Sequence, residues 1–278
     1  MNCPACAAPV DPGRPLGKGM FLLACRSCGH SFADPLPPPS ELLGTYTADY
    51  FEVHRKNRPQ LSLVESRRLG WLRGFAAPGR LLEIGSGTGI FLEVASGAGW
   101  KVTGVEPSSA ACEEARRLTG LDVIQGTVTA VPADARFDVV VMWHVAEHLP
   151  DPSLVFREAH KRLVPGGLLA VESPDAGSLK ARLRGRRWQY FTPPEHVQFF
   201  TRQSMRTLML RAGFEPVWAR RTSFTRLLAP LGLPGLSGLR NWIGTRAGKL
   251  AWVKRSAETV KGLLGLDDCL FVVAKRVP

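Results

Sequence analysis

The sequence lacks any long hydrophobic run and is short of acidic side chains. No stretch of about 18 apolar residues is free of charge, so we expect no membrane-spanning helix. The first ten residues, MNCPACAAPV, hold neither a basic start nor an apolar core, so we expect no secretory signal and a soluble, cytoplasmic protein. Hydrophobic residues still make up 45% of the 278 positions and charged residues 22%, which indicates a globular chain rather than a disordered one.

Only 24 Asp and Glu residues stand against 36 Lys and Arg residues, and the positive excess is concentrated in one region. Residues 180–261 hold 17 basic and three acidic side chains. A field of this sign attracts anionic partners, among them phosphorylated metabolites, lipid headgroups and nucleic acid. A basic face that is merely solvated is equally compatible with this pattern.

Four of the six cysteines form two C-x-x-C pairs, Cys3 with Cys6 and Cys25 with Cys28, separated by 18 residues. Each pair fits a tight turn that directs two thiolates at one tetrahedral ion, and two such turns complete a four-thiolate zinc site. Disulfides fit poorly with a cytoplasmic chain. Because thiolates fill every ligand position and leave none for a substrate, we predict a structural zinc ribbon over residues 1–35.

A proline-rich stretch, ADPLPPPSELLG, follows the ribbon and does not favour a helix. We therefore predict a linker and an aromatic segment over residues 36–60 and a main domain over residues 61–278. Apolar residues at helical spacing predict an amphipathic helix from about Leu61 to Phe75 at its start. The main domain contains a predicted helical insertion, residues 222–266, in which residues 239–261 favour either a lid over the acceptor pocket or peripheral contact with an anionic membrane.

The segment RLLEIGSGTG carries the strongest functional signal. A short apolar strand ends just before a glycine-rich turn, and helical spacing resumes after it. Position 90 is Ile, so the dinucleotide-binding pattern G-x-G-x-x-G is not met. The spacing G-x-G-x-G, with an acidic residue in the preceding strand, resembles motif I of class I S-adenosylmethionine-dependent methyltransferases. The resemblance implies that the methionine end of this cofactor is held by Glu83, Gly85, Ser86, Gly87 and Gly89.

The following strands supply the rest of the expected cofactor pocket. The strand KVTGVEP ends in Glu106, 23 residues after Glu83, where a carboxylate accepts hydrogen bonds from ribose hydroxyls. Thr127 stands where many relatives carry an acidic residue that contacts the adenine. The strand FDVVVMW ends at Trp143, which we also expect to line the pocket.

Five apolar strands alternate with helical segments, which argues for a parallel sheet flanked by helices. Ligands of such α/β sheets bind outside the carboxyl ends of the strands. The family resemblance, which covers roughly residues 40–278, implies a Rossmann-like seven-stranded sheet with helices on both faces. It also implies that the last strand, near residues 269–275, runs antiparallel.

The motif HVAEH places His144, Glu147 and His148 on one face if it is helical. Two imidazoles and a carboxylate suit a divalent metal or a proton transfer. The stretch WHVAEHLPDP resembles quinone O-methyltransferases, which have a Glu where His144 stands and use that region for a metal. His144 as a residue that lines the cofactor or acceptor pocket, and as a candidate base, is the other interpretation.

The string EHVQFFT resembles a stretch of bacterial sugar methyltransferases that also carry an N-terminal zinc ribbon. The resemblance implies that the Glu195–His196 pair lies at the acceptor and assists its deprotonation, a role that suits the pKa of histidine. A His196 that only anchors its loop by hydrogen bonding is the alternative.

These observations predict a methyltransferase that uses S-adenosyl-L-methionine, contains structural Zn²⁺ and needs no obligate protein partner. We expect a small-molecule acceptor that is anionic or carrier-linked, in first place a nucleotide- or lipid-linked sugar or a secondary metabolite. The alternatives are a quinone-type O-methyltransferase, an RNA methyltransferase that uses the basic C-terminal half, and a non-catalytic module that only binds S-adenosylmethionine.

Overall fold

The computed structural model describes residues 1–17, 19–38, 47–222 and 267–278. Within these residues the strands form one seven-stranded and one four-stranded sheet. The strands, in chain order, are β1 Arg14–Gly17, β2 Met20–Ala24, β3 Ser31–Asp34, β4 Arg80–Ile84, β5 Lys101–Glu106, β6 Val123–Gln125, β7 Phe137–Trp143, β8 Leu163–Pro174, β9 Gln198–Phe199, β10 Phe214–Thr222 and β11 Cys269–Arg276. The α-helices are α1 Ala48–Lys56, α2 Arg58–Leu72, α3 Ile90–Gly97, α4 Ser109–Thr119, α5 Pro152–Arg162, α6 Leu179–Arg184 and α7 Arg202–Arg211.

The seven-stranded sheet has the order β10-β11-β8-β7-β4-β5-β6. From β8 to β6 neighbouring strands are parallel, whereas β11 is antiparallel to both β8 and β10. Strands β4, β7 and β8 are nearly continuous apolar runs because helices cover both faces of the sheet. The predicted α/β architecture, with an antiparallel last strand, is confirmed.

Two hydrophobic layers separate the sheet from its helices. On one face Leu72 of α2 and Phe91 of α3 pack on the sheet. On the other face Phe156 of α5 and Met205 of α7 do so. All four side chains are at least 98% buried, so both layers contribute to a continuous core. This packing fixes the carboxyl ends of β4, β5, β7 and β8 at one edge, where the candidate site lies.

The cysteine-rich N-terminus folds as a small antiparallel sheet in the order β1-β2-β3-β9. Strands β1 to β3 come from residues predicted as the ribbon, whereas β9 belongs to the EHVQFFT string of the main domain. The ribbon is therefore hydrogen-bonded to the main domain through shared sheet structure, which local sequence patterns do not reveal.

Two helices lie along the chain between the last ribbon strand, β3, and the first strand of the main sheet, β4. Helix α1 lies inside the predicted linker and aromatic segment, and its N-cap residue Thr47 accepts a hydrogen bond from the amide of Tyr50. Helix α2 begins at Arg58, three residues before the predicted start, because Pro59 suits the first turn of a helix. The predicted insertion lies outside the described residues from position 223 to 266, as does the proposed membrane-contact stretch. No helix among the described residues is long and apolar enough to cross a membrane.

Candidate active site

The glycine-rich turn joins β4 to α3 and forms the floor of the candidate site. Gly85, Gly87 and Gly89 all have positive φ angles. A Cβ at Gly85 would lie 2.6 Å from Cγ2 of Val145, so the close approach of the two segments requires glycine there. Gly89 adopts the left-handed conformation at the N-cap of α3, which aims the first amides of this helix at the turn. The turn therefore presents backbone amides to a ligand at the carboxyl end of β4.

Glu106 ends β5 beside this turn and is buried. Its carboxylate accepts one hydrogen bond from the amide of Gly87 and another from the amide of Ser108, each at 3.0 Å. These two bonds fix the carboxylate against the glycine-rich turn, where the sequence predicts the ribose. Thr127, at the end of the next strand, is exposed and its hydroxyl lies 2.8 Å from that of Thr129.

A buried cluster of charged groups lies beneath the turn. Its members interact electrostatically and are Glu65, Arg68, Glu83, His144 and Glu172. Arg68 donates to Glu65 at 2.8 Å and to Glu172 at 2.7 Å. Burial raises the pKa of Glu83 well above its usual range, and the neighbouring carboxylate of Glu65 adds to the shift.

This cluster fits the amino-acid end of S-adenosylmethionine. Oε2 of Glu83 and Oε2 of Glu65 are buried without a hydrogen-bond partner among the described residues. Three carboxyl groups face only two cationic side chains, so an ammonium group placed here would allow both Glu65 and Glu83 to ionise. The orphaned oxygens and the charge imbalance therefore fit a cationic ligand, and the binding of such a ligand by Glu83 stays a prediction.

Helix α1 covers the glycine-rich turn from outside. The rings of Tyr50 and His54 pack with centroids 4.1 Å apart, and Nδ1 of His54 lies 3.3 Å from the hydroxyl of Thr88. Burial raises the pKa of Tyr50, and the charge of Glu106 raises it further. Arg58, at the start of α2, forms a 2.6 Å ion pair with Glu93 of α3. The sequence marks Tyr50 only as part of an aromatic cluster, and no local signal predicts that it lies over the turn.

Trp143 ends β7 and is buried in the core against α3 and β11. Its ring contacts those of Phe91 and Phe271 at centroid distances of 5.2 and 5.5 Å. The guanidinium of Arg68 lies 5.4 Å from the centroid of the Trp143 ring. The side chain therefore supports the charged cluster from the core, a location different from the pocket lining that the sequence suggests.

His144 adopts a left-handed backbone conformation, with φ of 53°, which is uncommon for a residue with a side chain. Consequently only Ala146–His148 forms a 3₁₀ helix, and the predicted shared helical face does not exist. Nδ1 of His144 lies 3.0 Å from the Glu147 carboxylate. Burial alone would lower the pKa of His144, but hydrogen bonds with Cys269 and Glu147 outweigh it and raise the pKa well above its usual range. These partners therefore favour the protonated form of His144.

His196 differs from His144 in charge. Its Nδ1 donates to the carbonyl of Tyr190 at 2.8 Å, which leaves Nε2 with the lone pair. Burial lowers the pKa of His196 more than the Glu147 carboxylate raises it. The expected partner, the side chain of Glu195, is exposed, and its backbone carbonyl instead accepts a 2.8 Å hydrogen bond from Nδ1 of His148. The Tyr190 carbonyl therefore takes the orienting position predicted for the Glu195 carboxylate.

Glu147, His148 and His196 each place one ligand-type atom within 4.8 Å of the other two. Both imidazoles donate from Nδ1 to a backbone carbonyl, so both offer Nε2 to a ligand or a proton. The hydroxyl of Ser173 donates to Glu147 at 3.0 Å and fixes its carboxylate. The structure thus brings Glu147 and His148 together as the motif suggests, but the third member is His196 rather than His144.

Tyr190 lies between the two candidate histidines. Its ring centroid is 6.0 Å from that of His144 and 6.1 Å from that of His196, and both pairs are stacked. The thiol of Cys269, the first residue of β11, donates to the Tyr190 hydroxyl at 3.5 Å. The three rings form one aromatic wall beside the carboxyl ends of β7 and β8.

The four ribbon cysteines converge as predicted. The sulfurs of Cys3 and Cys28 are 3.7 Å apart, and those of Cys6 and Cys25 are 3.4 Å apart. Tetrahedral zinc with Zn–S bonds of about 2.3 Å requires sulfur separations of about 3.8 Å. All four sulfurs lie within 4.8 Å of one another, so the residues fit a structural zinc ion.

The chain is similar in sequence to known proteins. Residues 46–219, more than half of the chain, match the family model described as a methyltransferase domain. The chain is 29% identical over 207 residues to the ubiquinone biosynthesis O-methyltransferase of Ruegeria pomeroyi, covering 64% of this chain and 83% of that protein. It is 33% identical over 126 residues to the protein of the same name from Proteus mirabilis, covering 43% of this chain but only 49% of that protein.

The fold is shared with solved structures. One is a Thermotoga maritima protein described as a SAM-dependent methyltransferase, possible histamine N-methyltransferase. It aligns with a TM-score of 0.57 at 22% identity, over 86% of this chain and 99% of that chain. At this identity the likeness establishes the common fold.

Proposed function

The chain belongs to the methyltransferase-domain family and is an S-adenosylmethionine-dependent methyltransferase; from this premise we propose that it methylates a phenolic hydroxyl of a small molecule, with His196 as general base. One observation carries the assignment of the base. The Tyr190 carbonyl occupies Nδ1 of His196, and burial lowers the pKa of this imidazole, so Nε2 accepts a proton near neutral pH.

The chain's own residues divide the work of binding the cofactor. Glu83 accepts from its ammonium group, the glycine-rich turn contacts the methionine end, and Glu106 holds the ribose hydroxyls. When bound, S-adenosylmethionine supplies a methyl group on a sulfonium, an electrophile that needs no further activation. The protein therefore has to position the acceptor, exclude water and remove a proton. Tyr50 of α1 helps to exclude water, because its half-buried side chain places the hydroxyl beside Gly87 of the turn.

His196 rather than His144 is the base in this proposal. Protonated His144 has no lone pair to offer, and its ion pair with Glu147 holds that charge in place. His144 is better suited to stabilise negative charge on the acceptor oxygen. His196 is neutral in the resting protein and faces Glu147, whose negative charge stabilises the imidazolium that forms when Nε2 takes the proton from the acceptor.

The strength of the base favours an acidic hydroxyl. The pKa of His196 lies below the ordinary value of 6.5, and a phenol titrates near about 10, whereas an aliphatic hydroxyl is far less acidic. A weak base removes a phenolic proton more readily than one from a sugar. The names of the relatives, ubiquinone biosynthesis O-methyltransferases, agree with a phenolic acceptor. A planar acceptor also suits the aromatic wall of His144, Tyr190 and His196.

A sugar hydroxyl on a nucleotide or lipid carrier is the second candidate. The observation that favours it is the pairing of ribbon strand β3 with β9, which lies in the EHVQFFT string shared with sugar methyltransferases. The exposed basic side chains of residues 182–187 would suit the phosphates of such a carrier.

The deciding experiment offers methyl-labelled S-adenosylmethionine and purified protein to a catechol, a quinol, a nucleotide sugar and RNA in parallel. We expect label in the catechol or quinol and at least 100-fold less label after the substitution His196→Ala, with unchanged cofactor affinity. Label in the nucleotide sugar alone would replace the phenolic acceptor with the second candidate. Label in RNA would refute a small-molecule acceptor, and cofactor binding without any transfer would identify a non-catalytic module.

A further inference from the structure

The ribbon is hydrogen-bonded to the segment that carries His196. Strand β3 pairs with β9 through Ser31 opposite Phe199 and Phe32 opposite Gln198. The amide of Ala33 also donates to the carbonyl of Val197 at 2.9 Å, one residue beyond His196. The last ribbon strand, β3, therefore holds the residues that directly follow His196 by backbone hydrogen bonds.

A buried side-chain relay extends this connection to the other candidate residues. Nε2 of His30 donates to Oε1 of Gln198 at 2.9 Å, and Nε2 of Gln198 donates to the carbonyl of Leu149 at 2.9 Å. His30 is fully buried and Gln198 is 98% buried. The amide of Val197 donates to the carbonyl of Glu147 at 2.9 Å. Strand β9 is thus held between the ribbon and the segment that supplies Glu147 and His148.

We infer that His30 and Gln198 are positioning residues that hold His196 at the acceptor, so that the ribbon works as a part of the active site. The inference rests on the proposed function, since it assigns a role to His196. Neither side chain touches the reacting atoms. They act by fixing the position of Gln198, two residues after His196, against the ribbon on one side and against the Leu149 carbonyl, next to the 3₁₀ helix, on the other.

The packing of His30 allows the role of its hydrogen bond to be separated from the role of its ring volume. The His30 ring lies between Phe32 and Phe200, with centroids 5.9 and 4.6 Å away. A phenylalanine would keep these ring contacts but leave Oε1 of Gln198 without its donor in a buried place. The amide would then reorient and release the Leu149 carbonyl. Displacement of a catalytic group by about 1 Å reduces turnover by up to about 100-fold.

The test compares variants that keep or remove single hydrogen bonds of the relay. His30→Phe removes the donor but keeps a ring, whereas His30→Gln keeps an amide donor near the position of Nε2. Gln198→Leu removes both bonds, and Gln198→Glu keeps the acceptor for His30 but loses the donor to Leu149. Leu23→Val, which trims a buried ribbon side chain without removing a hydrogen bond of the relay, controls for ribbon stability. Each variant is measured for kcat, acceptor KM, cofactor affinity, zinc content and thermal midpoint.

We expect His30→Phe and both Gln198 variants to lower kcat by about 10- to 100-fold. Cofactor affinity should stay within about twofold of wild type, and the variants should keep the wild-type zinc content. His30→Gln and Leu23→Val should keep most of the wild-type kcat. If His30→Phe does not fold, the two Gln198 variants decide the matter.

Two results would overturn the inference. Folded His30→Phe and Gln198→Leu proteins with wild-type kcat would show that the relay does not position the base. Equal losses in His30→Phe and His30→Gln would show that the ring itself matters for structure. Failure of the proposed function looks different, because there the His196→Ala variant itself retains full turnover.

Discussion

The carboxylate of Glu106 offers a sharp test of the cofactor site, because it is buried beside the glycine-rich turn and accepts hydrogen bonds from two backbone amides. The substitution Glu106→Gln keeps the length of the side chain and one acceptor oxygen. Its amide nitrogen would face one of the two backbone amides, at Gly87 or Ser108, that now donate to the carboxylate at 3.0 Å. One buried donor then loses its partner, and the predicted bond to the ribose hydroxyls weakens as well.

A ribose hydroxyl that loses its acceptor in the buried site costs about 1–3 kcal/mol of binding free energy, whereas the unpaired backbone amide is common to the free and bound protein and lowers only the stability. Since about 1.4 kcal/mol corresponds to a tenfold change in affinity, the Kd for S-adenosylmethionine should rise by roughly 5- to 150-fold. Isothermal titration calorimetry measures this Kd directly. Glu113→Gln is the matched control, because Glu113 is an exposed carboxylate in α4, the helix that follows β5. A Kd unchanged by Glu106→Gln, in a variant that folds normally, would refute the assignment of Glu106 to the cofactor.

Three further predictions concern the base, the ribbon and the buried charges. Because burial lowers the pKa of His196, activity should rise with pH along an acid limb below about pH 6.5, and a kcat/KM profile of His196→Ala should lack this limb. Purified protein should contain one zinc ion per chain by elemental analysis, and Cys3→Ser or Cys25→Ser should lose it; folded wild-type protein without metal would contradict the ribbon. Arg68→Met should lower the free energy of unfolding by about 3–5 kcal/mol, because it removes the 2.7 Å ion pair of the fully buried Glu172 carboxylate and leaves His144, at 3.9 Å, as its nearest cation; chemical denaturation that gives a loss below about 1 kcal/mol would show that His144 and Thr222 satisfy Glu172.

The parts of the site that the sequence predicts well are those encoded locally. The glycine-rich turn follows Glu83 directly, and the spacing of the four cysteines defines a tetrahedral site without any tertiary information. The position of Glu106 follows from the regular alternation of strand and helix, because adjacent parallel strands end at one edge. In each case the chemistry depends on residues that one turn or one strand end brings together.

The parts that the sequence misses depend on long-range packing. His30 and Gln198 are 168 residues apart, and neither belongs to a pattern that marks it as buried. Tyr50 reaches the glycine-rich turn only because α1 folds back over it. The helical face expected for the HVAEH motif is absent because the left-handed backbone of His144 turns that side chain out of the helical register. Single-residue backbone conformations of this kind have no signal in the spacing of residues.

The sheet shared by the ribbon and the main domain limits how the chain can be shortened or recombined. Strand β9 contributes only two residues, and its sole partner among the described strands is β3. A protein shortened to the main domain would present the backbone groups of Gln198 and Phe199 as an open edge, together with apolar side chains that the ribbon now covers. Such edges recruit strands from other molecules. The ribbon and the segment around β9 therefore have to be exchanged together. A ribbon transplanted from a relative would need a β9 segment whose side chain at position 198 is complementary to the side chain at position 30.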